Sequence, residues 1–146
     1  MKNYIALFLL AFSSSFLISS CNDEDVVEAV PNPEGFIQDD WAAAKQAAGE
    51  ANRQIFIHFY KPDCPRCAEF KEDVLNDEEV ETYVFENYIG TFVNAKEGEG
   101  KDLADEFDVK GTPSLAVTDK NGKLLELHTG KMAKEKFLNW LKEKKE

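Results

Sequence analysis

Cys64 and Cys67 stand two residues apart in Asp63-Cys64-Pro65-Arg66-Cys67, and this spacing is the sharpest chemical signal in the chain. Two intervening residues are what one helical turn needs to bring both sulfurs onto one face. A bridge across so short a loop removes little entropy from the unfolded chain, so it makes a poor scaffold staple. Such a pair serves redox chemistry or metal. The redox chemistry is thiol–disulfide exchange, in which a thiolate attacks a disulfide sulfur and a second thiol displaces the mixed intermediate.

The neighbouring sequence supplies elements to position the pair. Ile55–Tyr60 is almost continuously apolar and aromatic, the pattern of a strand buried on both faces. Pro62 stops it, and Cys64-Pro65 opens a helix running through Ala68, Phe70, Val74 and Leu75. Pro65 suits the first turn, which has no use for its missing N–H. Cys64 is therefore expected exposed at a helix N-terminus, where N–H groups and the dipole favour a thiolate. Cys67, one turn inward, is expected to be the buried thiol that closes the Cys64–Cys67 disulfide. Arg66 should favour the Cys64 thiolate and Asp63 should oppose it.

Asp39 and Asp40 are N-cap candidates for a helix over Trp41–Ala51. Further helices are expected over Asp77–Tyr88, Lys101–Phe107 and Met132–Lys144, with strands over Thr91–Ala95, Ser114–Thr118 and Leu124–His128. Asn121-Gly122 is a strong hairpin signal between the last two strands. This order predicts an α/β fold, a central mixed sheet flanked by helices on both faces. It does not fix the strand order.

From Asp39 to Lys144 the chain resembles the thioredoxin family, in particular single-domain thioredoxin-like proteins and the C-terminal domain of transmembrane thiol-disulfide interchange proteins. The resemblance rests on Ile55–Tyr60 before Cys64-Pro65-Arg66-Cys67, then Phe70–Asp77, Val109-Lys110-Gly111-Thr112-Pro113, Asn121-Gly122 and Gly130. It implies a thioredoxin fold and a thiol-disulfide oxidoreductase acting on protein thiols and disulfides without a cofactor. It also implies a cis Thr112-Pro113 bond facing the redox pair. Pro113 would exclude metal from the thiols, and the Thr112 backbone would pair with a bound substrate strand beside Pro65 and Arg66. Two positions depart from the family pattern. Asp63 stands where tryptophan is usual, and His58 stands where many relatives carry a buried acid that manages the proton of the resolving cysteine. With an ordinary pKa of about 6.5, His58 would suit that role near neutral pH; the competing reading is a core histidine bonded to a backbone carbonyl.

The first twenty residues read as an export signal: Lys2, the apolar run Ile5–Phe12, then Ser19-Ser20 before Cys21. Ile18-Ser19-Ser20-Cys21 resembles a bacterial lipobox, which implies lipidation of Cys21 and a protein anchored to a bacterial membrane, on a periplasmic or cell-surface face. Residues 21–38, acidic and carrying Pro31 and Pro33, are expected to form a tether, with the folded domain at 39–146. The 17 basic against 28 acidic side chains exclude a nucleic-acid partner, since no basic stripe is available to phosphates. A monomer is expected.

Reductase activity is the favoured direction. The Pro-Arg dipeptide between the cysteines hints at a less reducing pair, whereas the likeness to reductase domains points the other way. The alternatives are a copper-binding CxxC module and a redox-inactive protein-binding module on the same fold. No zinc site is expected, because four ligands are not in sight. His128 reads as a surface residue, Trp41 and Trp140 as core. Glu69, Lys71, Glu72 and Asp73 read as the solvated face of the redox helix.

Overall fold

The structure is a computed structural model that describes residues 30–145. Cys21 and the export signal lie outside the described residues. The elements run β1 (Ile37–Gln38), α1 (Trp41–Ala51), β2 (Gln54–Tyr60), α2 (Pro65–Phe70), α3 (Glu78–Asn87), β3 (Tyr88–Asn94), α4 (Gly98–Glu106), β4 (Ser114–Thr118), β5 (Leu124–Thr129) and α5 (Lys134–Lys144). A π-helical turn, Lys71–Leu75, follows α2 directly.

The five strands form one mixed sheet in the order β1-β3-β2-β4-β5. β2 is central, parallel to β3 on one side and antiparallel to β4 on the other. Its continuous apolar run is explained by that position, because both faces are covered. Ile55, Ile57 and Phe59 point to a cluster with Trp41, Ala44, Ala48, Leu103 and Phe107 from the α1/α4 side. Phe56 points the other way, into a cluster with Phe70, Leu75, Val80, Phe137 and Leu141. Period-two alternation puts His58 on the same face as Phe56, beneath the redox helix.

The hairpin signal is realised: the Asp119 N–H donates to the Lys123 carbonyl at 2.9 Å, and Gly122 takes φ +92°. β3 is longer than its sequence suggests, starting at Tyr88. Tyr88 is buried and its hydroxyl donates to the Leu141 carbonyl at 2.6 Å. Trp41 is core, whereas Trp140 is only partly buried, stacked on Phe137 at 6.0 Å. His128 is half-buried rather than fully exposed.

Ordered packing begins ahead of Asp39. Ile37 and Gln38 pair with Thr91 and Phe92 as the edge strand β1, and Phe36 packs on Phe92 at 5.1 Å between ring centroids. Gly90 makes room for it, since a Cβ there would sit 2.7 Å from the Phe36 ring. Two acceptor-rich neighbours also divide their roles. Asp40 caps α1, accepting from the Ala43 N–H at 2.8 Å. Asp39, at φ +50°, instead accepts from the Asn94 N–H at 2.6 Å and from the Tyr60 hydroxyl at 2.6 Å.

Candidate active site

Cys64 is the N-cap residue of α2, held in extended backbone at φ −110° and ψ 95°. Its carbonyl accepts from the N–H groups of Cys67 and Ala68 at 3.0 and 3.2 Å. Its Sγ accepts from the Cys67 N–H at 3.2 Å. A main-chain donor is thus already aimed at the sulfur that must carry negative charge when reduced. The Cys64 and Cys67 sulfurs are joined in a disulfide, with their Cα atoms 5.2 Å apart.

The expectation of an exposed Cys64 is corrected, for it is 7 % exposed, close to the 5 % of Cys67. The loop before β4 reaches it, the Thr112 hydroxyl donating to Cys64 Sγ at 3.5 Å. The Thr112–Pro113 peptide bond is cis. The loop is braced by the Gly130 N–H donating to the Pro113 carbonyl at 2.8 Å and by the Ser114 hydroxyl donating to the Gly111 carbonyl at 2.7 Å. Among the described residues, the main-chain N–H and C=O of Thr112 have no hydrogen-bond partner. Pro65 and Arg66 are exposed on the rim with Asp63, whose carboxylate lies 3.9 Å from the Lys61 ammonium.

Behind the pair lies a cleft of about 560 Å³ lined by Cys64, Cys67, His58, Tyr60, Lys71 and Phe92, among others. His58 is 1 % exposed, between the rings of Phe70 and Phe92 at 5.5 and 5.2 Å. Neither ring nitrogen has a hydrogen-bond partner, so the core-histidine reading with a carbonyl acceptor does not hold. Burial, and then the neighbouring Lys71 cation, push its pKa down from 6.5 to about 3. With its pKa pushed that low, His58 does not hold a proton near neutral pH as an ordinary histidine could. At neutral pH His58 is an uncharged ring.

Lys71 does not belong to the solvated face of the redox helix, which corrects the reading from sequence. It opens the π-helical turn, and its Nζ donates to Asn32 Oδ1 at 3.0 Å while lying 5.9 Å from the Phe92 ring centroid. Partial burial holds the Lys71 pKa below the usual lysine value. A signal was available: Lys71 is four residues after Cys67, on the same helical face. Nothing in the sequence points to Asn32, which reaches the cleft from the segment before β1. Among the described residues, no group of three His, Cys, Asp or Glu side chains is placed to hold a metal ion.

Residues 41–145 match the family of the thioredoxin-like domain. The chain belongs to the thioredoxin-like family. The C-terminal domain of DsbD from Neisseria meningitidis, in its oxidised form, superposes with a TM-score of 0.61 at 26% identity, over 74% of this chain and 97% of that domain. A putative disulphide-isomerase from Bacteroides thetaiotaomicron gives a TM-score of 0.67 at 19% identity, covering 78% of this chain and 94% of that one. A protein disulfide-isomerase from Datisca glomerata is 25% identical over 139 residues, 95% of this chain. The chain spans about a quarter of that relative's length, 26%. This thioredoxin-like domain thus brings Cys64, Cys67, Thr112 and Pro113 together, puts Pro65 and Arg66 on the rim and sets His58 behind the sulfurs.

Proposed function

We propose that this protein is an exported, lipid-anchored, monomeric thiol-disulfide oxidoreductase that reduces disulfides of other exported proteins. The observation that carries the reading is the Cys64–Cys67 disulfide at a helix start, with the Thr112 hydroxyl against Cys64 Sγ. In the reductive direction, the Cys64 thiolate bonds to one substrate sulfur as the substrate S–S bond breaks, releasing one substrate thiolate. The Cys67 thiolate then attacks Cys64, the mixed disulfide breaks, and the second substrate thiolate leaves. Two electrons pass to the substrate, whose two thiolates take up protons. A dithiol donor must reduce the Cys64–Cys67 bond before the next cycle.

The remaining site residues take roles around this exchange. The free main-chain groups of Thr112 give a substrate strand a place to pair, with Pro65 and Arg66 against its other side. Pro113 keeps that edge beside the sulfurs. His58, uncharged at neutral pH and with no partner on either ring nitrogen, lines the cleft behind Cys67 and keeps it apolar, while the Cys67 proton leaves to solvent. Cys21 carries the lipid, a reading supported by the lipobox-like Ile18-Ser19-Ser20-Cys21, and the acidic residues that follow it, ahead of the segment packed on the domain, space the domain from the membrane.

The test is trapping with Cys67→Ser in exporting cells. Mixed disulfides through Cys64 are expected to accumulate, and to vanish when Cys64 is also replaced. No adduct, together with no cycling of the parent pair in a glutathione buffer, would refute the redox reading.

A further inference from the structure

Beside the Thr112 edge runs a groove of about 440 Å³. Lys61, Lys96, Lys101 and Lys110 line it, with Asp105 as its one carboxylate, and Gly111 and Thr112 form one wall. This is unusual in a chain of net charge −11. Three of the lysines already meet carboxylates: Lys101 meets Asp105 at 2.6 Å, Lys110 pairs with Asp108, and Lys61 lies 3.9 Å from Asp63. All three pairs are at the surface, where such contacts contribute little and exchange readily. Lys96 is exposed and has no carboxylate within ion-pair distance among the described residues.

Gly111 and Thr112 line the groove, so a peptide that paired with Thr112 and ran on past Gly111 and Lys110 would enter the lysine-lined channel. We infer that this groove selects substrates whose target cysteine is flanked by acidic residues, their carboxylates exchanging onto Lys96, Lys110 and Lys61. The inference rests on the redox reading and names the substrate class of that same site. Its physical role is in encounter. The acidic remainder of the surface repels an acidic partner, and the groove is where that repulsion is locally reversed, so the partner is oriented as well as attracted.

The experiment uses the full chain, reduced beforehand, and quenched fluorescent peptide disulfides that differ only beside the cysteine: Asp/Glu, Ser/Gly or Lys. The acidic peptide is expected to react about 10-fold faster than the neutral one at low ionic strength, with the ratio falling towards one near 0.5 M salt. Lys96→Glu combined with Lys110→Glu should invert the order of acidic and basic peptides, while Lys142→Glu, remote on α5, keeps the parental order. Far-UV circular dichroism establishes that the variants fold, and the milder Lys96→Gln with Lys110→Gln should bring the ratio close to one. Exchange with all three peptides at equal rates, or an acidic preference that survives the double charge reversal, would overturn the groove's role while leaving the redox reading intact. No exchange with any peptide overturns both.

Discussion

Replacing His58 by leucine should remove a defined part of the acid sensitivity of this fold. The imidazole is 1 % exposed, and burial followed by Lys71 lowers its pKa from 6.5 to about 3. A group whose folded pKa is depressed gives stability that is whole above the unfolded value and is lost as pH falls from 6.5 towards 3. At pH 5 the unfolded imidazole is protonated and folding must strip that proton, at a cost of about 2 kcal/mol; at pH 7.5 the cost is close to zero. Glu69 and Asp77, whose carboxyls are held below their usual values by hydrogen bonds from Lys131 and Lys134, contribute in both proteins and cancel in the comparison. Urea unfolding of parent and His58→Leu at pH 7.5 and pH 5.0 therefore isolates the imidazole. The parent should lose about 2 kcal/mol more than the variant between the two conditions. At pH 7.5 the variant should be at least as stable, because an unpaired buried ring N–H disappears with the imidazole. Equal losses in the two proteins would refute the assignment of a neutral, unpartnered His58.

Two glycines give opposed expectations in the same assay. A Cβ on Gly100 would lie 2.3 Å from the Asn94 carbonyl oxygen and 2.9 Å from Val93 Cγ1, so Gly100→Ala should push α4 off β3 and cost about 1–3 kcal/mol. Gly49 lies inside α1, and an added methyl there would meet nothing within 4 Å, so Gly49→Ala should raise the unfolding free energy by about 0.5–1 kcal/mol, seen as a higher urea midpoint.

Period and punctuation made most of the architecture legible. Ile55–Tyr60 announced a strand covered on both faces, Pro62 and Pro65 marked the strand end and helix start, and Asn121-Gly122 marked the hairpin. The front of the site was equally readable, since Cys64, Cys67, Thr112 and Pro113 lie in short motifs. The edge strand β1 was not, because two residues, Ile37 and Gln38, carry no periodicity and owe their pairing to β3. The burial of Cys64 also escaped, because a residue forty-eight positions on, Thr112, reaches its sulfur. Tertiary contacts of that kind leave no local trace. His58 was found by its position but misjudged in its chemistry, since a pKa depends on the partners that folding provides or withholds.

The cleft behind the sulfurs carries a charge of unexpected sign, and this bears on the potential of the pair. Many members of the family carry an acid where this chain has His58; here a neutral ring and a half-buried ammonium, Lys71, share the cleft with Cys67. A cation near the sulfurs stabilises the thiolates of the reduced form and leaves the uncharged disulfide unaffected, so it makes the pair less reducing. Asn32 matters to this effect, because its Oδ1 accepts from Lys71 Nζ at 3.0 Å and holds the ammonium at the cleft. For a half-buried charge, a coupling of about 1 kcal/mol corresponds to roughly 20 mV in a two-electron couple. Lys71→Gln should therefore move the midpoint potential, measured against glutathione, about 20 mV more negative, and Asn32→Ala should move it the same way by less. A shift in the positive direction would mean that Lys71 acts on the disulfide form or through packing alone, and the electrostatic account of this cleft would fail.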